Sequence, residues 1–310
     1  NTTTRGTGSL LTDTTLFQGQ YFITTGKPAL RPVVIGNSSY IVPGEYYKLS
    51  NVSRTYRNLS DLSIIRYTNI TFRDHDSLKS LGSDGLLDCH IEMALKKRQS
   101  YQTEIAGTNS ASDLGIRGNI MYQNLNLFRG AEVFNMKFTG AIEALKNRSD
   151  GKYRSMKEVG AETSIVFPKF FSPLRLQSFV KKYQPKTSFS VSFNYQSRPD
   201  YTRSIANSSF SYRWKGNPYL THTIWPLELS YVNIFQNLSS TEFLDSNRNT
   251  PLGYSFEDHT VNVARYGFEL NNQSIGKRKD FYFTRFTIES AGNLVYLSSR
   301  ILEKGDREEP

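Results

Sequence analysis

Between Tyr101 and Glu289 the chain repeats one pattern, segments of roughly ten residues in which apolar and polar side chains alternate, separated by turn-rich stretches. In Lys186 to Gln196, Phe189, Val191, Phe193 and Tyr195 alternate with Ser188, Ser190, Ser192, Asn194 and Gln196. Successive side chains of a strand point to opposite faces, so this segment builds a wall that is apolar on one side and polar on the other. A membrane-spanning β-barrel is written this way, with lipid outside and water inside. A soluble β-sandwich shares the alternation, so the choice between them needs further observations.

No stretch approaches the roughly 20 consecutive apolar residues of a spanning helix, so a membrane position would require strands. Mean hydropathy is -0.50 while aromatics make up 13% of the residues, the balance expected when strands line a polar lumen and mark their ends with aromatic girdles. A length of 310 residues admits one large or two modest domains. With Cys89 as the single cysteine, neither an intrachain disulfide nor a Cys-based zinc site can form, and Cys89 reads as a small core residue. The net charge of +10 is scattered, with short clusters only at Lys96 to Arg98 and Lys277 to Lys279, so solvated turns and lumen charges account for it without nucleic acid. The chain opens at Asn1 without an apolar signal segment and reads as a mature or trimmed product.

The character changes near Arg98. Before it, Ser50 to Leu62 is the clearest helix, with Ser50 as N-cap and Val52, Tyr56, Leu59 and Leu62 on one face. A strand near Phe17 to Thr24, a shorter helix near Leu30 to Ser39 and strands at Arg66 to Phe72 and Leu87 to Leu95 complete a small α+β domain over residues 1–98. Its order is strand, helix, helix, strand, strand, with Asp74 to Gly85 as a long hairpin loop.

Residues 99–310 are expected to be strand and turn only. The strands are Tyr101 to Gly107, Leu114 to Gln123, Val133 to Ala144, Glu158 to Phe167, Thr187 to Gln196, Ala206 to Trp214, Thr223 to Tyr231, Val261 to Leu270 and Phe281 to Glu289. In the third, Phe134, Met136, Phe138 and Ile142 alternate with Asn135, Lys137, Thr139 and Glu143. In the eighth, Tyr266, Phe268 and Leu270 alternate with Arg265, Glu269 and Asn271. Interior charge of both signs suits a water-filled lumen and not a sandwich core, which favours the barrel. The turn Leu125 to Glu132 is short, whereas Lys146 to Lys157 and Leu238 to Asp258 are long and polar. Short turns face the periplasm in outer-membrane barrels, which would put the preceding domain there too.

The segment Val52 to Phe72 (VSRTYRNLSDLSIIRYTNITF) with Leu87 to Leu95 resembles the closing part of a POTRA domain. GTN at Gly107 to Asn109, LGIRGNIMYQNLNLFRGAEVFNMKFTGAIEA at Leu114 to Ala144 and IVFPKFF at Ile165 to Phe171 follow. Together these resemble the last POTRA domain and first barrel strands of the BamA family of outer-membrane assembly proteins, in the version typical of the Bacteroidota. The resemblance runs from about Tyr21 onward and is most specific at the NLFRGAE turn.

The resemblance implies a mainly β protein, a periplasmic α+β POTRA domain followed by a transmembrane antiparallel β-barrel, in the bacterial outer membrane. It implies no enzyme activity, no catalytic residues, no cofactor and no metal. Its partners would be unfolded outer-membrane protein clients, accessory lipoproteins of the assembly complex and outer-membrane lipid. Clients would be received by strand addition and folded at a seam beside the first barrel strand, since an incoming strand cannot leave its backbone unpaired in lipid. Here that seam strand carries Tyr101, Thr103, Ile105 and Gly107. Gly107 either weakens the strand or starts the turn through Thr108, Asn109 and Ser110. The POTRA edge for clients would carry Arg66, Thr68, Ile70 and Phe72, with Leu87 to Leu95 the open alternative. Asn126, Leu127, Phe128, Arg129 and Gly130 would form the periplasmic turn.

The family's barrels close with sixteen strands and carry a VRGF-like motif on a late loop. Nine strands, no such motif and a polar EKGDREEP ending imply the front portion of a longer protein, one POTRA domain and about half a wall, with further POTRA domains upstream. A two-partner secretion transporter exporting one dedicated protein is the alternative with the same architecture, and the helix-bearing first part counts against a diffusion porin. The sequons Asn37-Ser38-Ser39, Asn51-Val52-Ser53, Asn69-Ile70-Thr71 and Asn237-Leu238-Ser239 raise a different class, a glycosylated secreted β-sandwich binding protein. His75, His90, His222 and His259 are dispersed, and neither HExxH, GxSxG nor a glycine-rich phosphate loop occurs, which leaves a hydrolase unsupported.

Overall fold

The computed structural model describes residues 12–74, 85–110, 113–146, 152–172, 176–199, 201–236, 257–273 and 280–292. The chain is mainly β, and it divides into two compact units, residues 1–99 with 124–133 and residues 100–123 with 134–310.

The first unit opens with β1 (Thr12–Phe17) and β2 (Gln20–Thr25), an antiparallel hairpin where a single strand near Phe17 to Thr24 was expected. The reversal rests on Gln18 and Gly19, both at positive φ (52° and 73°), the backbone a two-residue hairpin turn demands. Helix α1 (Pro32–Ser38) begins on Pro32, whose missing N–H costs nothing in a first turn. Helix α2 (Leu49–Ser60) starts one residue before the expected cap, so Ser50 lies inside its first turn and Lys48 is the N-cap, without a side-chain bond. The buried face of α2 also differs from expectation. Tyr56 is exposed, and Thr55 and Leu59 are the residues without accessible surface. Thr55 is tolerated there because its Oγ1 accepts the Tyr40 N–H at 2.8 Å.

Strands β3 (Ile65–Asp74) and β4 (Leu87–Leu95) pair antiparallel under α2, with a register shift between Ile65 and Tyr67. The core joins Leu30, Leu59, Leu62, Ile64 and Ile65 to Ala131, with Val34, Ile35, Ile91, Met93 and Leu125 packed against them. Residues 75–84, which hold most of the expected long loop and His75, lie outside the described residues.

The second unit is a nine-stranded antiparallel sheet in which sequence neighbours are spatial neighbours. Its strands are β5 (Gln99–Ser110), β6 (Asp113–Asn124), β7 (Val133–Lys146), β8 (Tyr153–Phe167), β9 (Lys186–Ser197), β10 (Tyr201–Lys215), β11 (Leu220–Gln236), β12 (His259–Asn271) and β13 (Phe283–Ala291). Each expected strand is present, most of them longer at their ends. Among the described residues β5 pairs only with β6 and β13 only with β12, so the order ends on two edges. Pro226 lies inside β11, where its missing N–H would break a ladder. The register shifts there toward both neighbours, between Trp225 and Glu228 against β12 and between Phe210 and Tyr212 along β10. This bulge absorbs the proline and switches the face parity of β11, so that His222 and Ile224 before it share a face with Leu227 and Leu229 after it.

Two expectations about connections are corrected. The stretch after β8 is not turn alone, since it contains helix α3 (Gln177–Tyr183), ended by Gln184 in the left-handed region at φ 44°. Connection length also does not sort by end of the sheet. The end carrying residues 125–132 carries 168–185 and 272–282 as well, and the opposite end has the tight connections 111–112 and 198–200. The connection expected at Lys146 to Lys157 is shorter, because β7 runs to Lys146 and β8 begins at Tyr153. Most of Leu238 to Asp258, the Lys277 to Lys279 cluster and the tail after Gly292 lie outside the described residues.

Candidate functional site

The period-two pattern produces two chemically opposite faces on the nine-stranded sheet. On one face polar side chains bond across the strands. Ser188 and Ser211 hydroxyls lie 2.6 Å apart, Ser190 and Ser209 hydroxyls 2.7 Å apart, and Asn207 Nδ2 donates to Ser192 Oγ at 3.2 Å. Several charges on this face are paired. Arg117 bonds Glu158 at 3.1 Å, Arg265 bonds Glu228 at 2.7 Å, and Asn194 Nδ2 donates to the other Glu158 oxygen at 2.9 Å. Such pairing offsets the cost of removing charge from bulk water. The alternations expected in β7 and β12 fall on these two faces: Thr139 bonds Asn119 at 2.9 Å, while Phe138 and Ile142 stand exposed on the other side.

The other face is apolar and uncovered over most of its extent. Val191 is 58% exposed, and Ile116, Phe138, Val159, Phe193, Tyr231 and Ile288 are exposed with it. Water-soluble monomers rarely leave a contiguous apolar surface of this kind. At one end of this face aromatic rings form a belt from β5 to β13, through Tyr101 and Tyr122 (5.0 Å between centroids), Phe167 and Phe171 (4.9 Å), Trp214 and His222 (5.2 Å), and Phe268 and Phe286 (5.5 Å).

Strand β5 holds the seam residues of the sequence reading. Tyr101, Thr103 and Ile105 share the apolar face, and Ile105 is 77% exposed. Gly107 lies within the strand, which continues to Ser110, and a Cβ there would meet nothing within 4 Å. Neither a turn nor a close approach requires that glycine. Gly115 on β6, which sequence reasoning did not single out, is different. A Cβ there would lie 2.4 Å from Glu143 Cγ and 2.6 Å from Thr108 Oγ1. The glycine opens the space through which Thr108 on β5 reaches Glu143 on β7, at 3.5 Å.

In the first unit β3 pairs with β4 alone among the described residues, so both strands keep one unpaired edge. Arg66 is exposed, Thr68 is 4% exposed, and Ile70 and Phe72 are half-buried. Phe72 packs edge-on against Tyr47 with centroids 5.0 Å apart. An added strand at this edge would meet backbone and Arg66, while the other three side chains face inward.

The turn residues Asn126, Leu127, Phe128, Arg129 and Gly130 are part of the first unit and are held there from several sides. Asn126 Nδ2 donates to the Ala29 carbonyl at 2.7 Å and its Oδ1 accepts the Ala131 N–H at 3.0 Å. Arg129 Nη2 donates to the Pro28 carbonyl at 2.7 Å, and the Arg31 N–H donates to the Arg129 carbonyl at 2.9 Å. Arg98 Nη2 donates to the Leu127 carbonyl at 3.0 Å. Glu132 Oε2 accepts the N–H groups of Phe128 and Gly130 at 3.1 and 3.0 Å. A Cβ on Gly130 would lie 2.1 Å from Glu132 Oε1, so any larger residue there must displace that carboxylate from the N–H groups it accepts. Arg129 and Ala131 adopt positive φ, 64° and 61°. The NLFRGAE run is thus one cross-bonded structure, in which Glu132, Arg98 and Ala29 were not predicted.

Among the histidines, His222 Nδ1 bonds Tyr266 OH at 2.8 Å, His259 Nδ1 bonds the Glu257 carbonyl at 2.8 Å, and His90 is exposed on β4. Cys89 is half-buried on β4, and burial pushes its thiol above its ordinary value. No helix among the described residues is long and apolar enough to cross a membrane. No model of a known protein family matches the chain, and no curated protein matches it.

Proposed function

We propose that the nine-stranded sheet is part of the wall of an outer-membrane β-barrel, and that the chain folds and inserts β-barrel clients at the free edge of β5. One observation carries the reading: a single sheet pairs an exposed apolar face with a polar face that holds ion pairs and hydroxyl contacts across its strands, the arrangement lipid on one side and water on the other would select. The aromatic belt at one end of the apolar face supports it, because amphipathic rings collect at the membrane–water boundary.

An unpaired strand edge in lipid leaves N–H and C=O groups without partners, each costing several kcal/mol by order of magnitude. A client strand supplies those partners and gains its own. Strand β5 offers such an edge at Tyr101, Thr103 and Ile105, and the POTRA-like first unit would hand clients over from the periplasm through the edges of β3 or β4. Accessory lipoproteins and outer-membrane lipid complete the expected surroundings. The secretion transporter shares every structural feature named here and differs in what passes the wall.

The test is photocrosslinking in intact cells from position 103 while a slow-folding barrel client is being made. A client adduct at 103 that is absent from position 191 is expected. Export of one dedicated protein, with no client adduct at 103, would overturn assembly in favour of secretion.

A further inference from the structure

We propose that residues 169–171 and helix α3, between β8 and β9, form an interfacial platform that binds the phosphate headgroups of anionic lipid through Lys169, Lys181 and Lys182, an inference that rests on the membrane reading of the sheet.

Residues 169–171 and helix α3 do not project from the end of the sheet but lie back over the apolar face. Thr187 has no accessible surface because residues 169–171 lie across it, its Oγ1 donating to the Lys169 carbonyl at 2.7 Å and accepting the Phe171 N–H at 3.0 Å. Tyr212 on β10 donates its hydroxyl to the Phe171 carbonyl, and the Phe170 ring rests on the Tyr212 ring at 4.7 Å. Helix α3 is seated in the same way. Phe179 packs on Phe170 at 5.8 Å and edge-on against Trp214 at 5.5 Å. Both strand partners, Tyr212 and Trp214, belong to the apolar face, within the aromatic belt.

With Phe179 fixed inward, the remaining side chains are mixed in a particular way. Leu176 and Phe171 are exposed apolar groups, and Lys169, Lys181 and Lys182 are exposed cations beside them. Lys169 Nζ lies 5.5 Å above the Phe171 ring and Lys182 Nζ 4.9 Å above the Tyr183 ring. Leu176, Phe179, Val180 and Tyr183 follow helical spacing, with the lysines off that stripe. Lysines in the last turn of α3 also suit its dipole. The dipole accounts for neither Lys169, which sits on a different segment, nor the exposed Leu176 and Phe171. Apolar groups to enter the acyl boundary and cations at headgroup level, held at the aromatic end of a lipid-facing wall, are the recognition chemistry of an anionic membrane surface.

The experiment uses the full chain reconstituted in phosphatidylcholine vesicles. Electron spin resonance of spin-labelled phosphatidylglycerol and phosphatidylcholine measures the preference of the protein surface for each lipid. The expected result is a preference for phosphatidylglycerol that falls at least about fivefold in the Lys169→Gln, Lys181→Gln, Lys182→Gln variant, the effect of a single lysine near an anionic surface. The control removes equal charge at the opposite end of the sheet, Lys152→Gln, Arg154→Gln, Lys157→Gln, and should leave the preference within twofold. Trp214 emission monitors seating of Phe179 in each variant. An unchanged preference in the first variant, or an equal loss in the control, overturns the proposal. So does displacement of the labelled lipid by inorganic phosphate, which would mark a site for a free anion. A nitroxide at position 191 separates the two levels: if it lies in hydrocarbon while the preference is absent, the platform falls and the wall stands. If it lies in water, both fall.

Discussion

Phe189 on β9 and Phe210 on β10 face each other across the ladder with ring centroids 4.7 Å apart, and their neighbours Ser190 and Ser209 turn to the opposite face and bond at 2.7 Å. One register step therefore separates an aromatic contact from a hydroxyl contact. A strand slipped by one residue would place serines in the apolar surface and phenylalanines among charges, so the pattern fixes the register as well as the fold.

This asymmetry predicts an asymmetric response to charge. On the proposed membrane reading, Val191→Arg places a cation on the lipid-facing apolar face and should cost about 2–4 kcal/mol, against less than about 1 kcal/mol for Asn194→Arg on the polar face. Denaturant unfolding from vesicles measures both. Equal costs would contradict the assignment of faces.

At the free edge, Ile105→Pro removes a backbone donor and fixes φ in the strand proposed to meet the client. Insertion of a barrel client, followed by its acquisition of protease resistance, should fall further than with Val191→Pro in mid-sheet, at matched amounts of folded protein. A larger effect at position 191 would remove β5 from the mechanism.

The turn in the first unit makes a third prediction. Gly130→Ala drives a methyl group against the Glu132 carboxylate and should destabilise the first unit by about 1–3 kcal/mol. In a Glu132→Ala background the same change should cost much less, since the clash and the two bonds from Phe128 and Gly130 are already gone. Additive costs in the double-mutant cycle would show that the effect of Gly130→Ala does not run through Glu132.

Cys89 gives a pH-dependent readout. Burial raises its thiol above the ordinary value, so at pH 8 the folded protein holds less thiolate than the unfolded chain. Alkylation by iodoacetamide should be slower in the native protein, accelerate on unfolding in urea, and need a higher pH for its half-maximal native rate. Equal native and unfolded rates would place Cys89 in open water.

Strands such as β9 were legible because the period of two is local: each residue from Ser188 to Gln196 declares its face without help from elsewhere. What stayed hidden depends on distant partners. Thr55 reads as a polar surface residue until Tyr40 supplies its bond. The role of Glu132 needs the folded turn, and the meaning of Asn126 needs the Ala29 carbonyl. Helix α3 escaped because two turns are too short to nucleate alone, and its stability comes from Phe170, Tyr212 and Trp214. The β1–β2 reversal escaped because Gln18-Gly19 is a weaker turn signal than Asn-Gly. Among the proposed site residues, the exposed edge at Ile105 followed from strand order, but the inward aim of Thr68 followed from the seating of β3 beneath α2.

The most direct test of the wall is a nitroxide scan of β9 from position 187 to 196 in reconstituted vesicles, comparing collision with oxygen, which concentrates in lipid, and with a water-soluble nickel chelate. The account predicts a period of two, oxygen dominating at 189, 191, 193 and 195 and the chelate at 190, 192 and 194. Chelate access at every position, with no alternation, would contradict it.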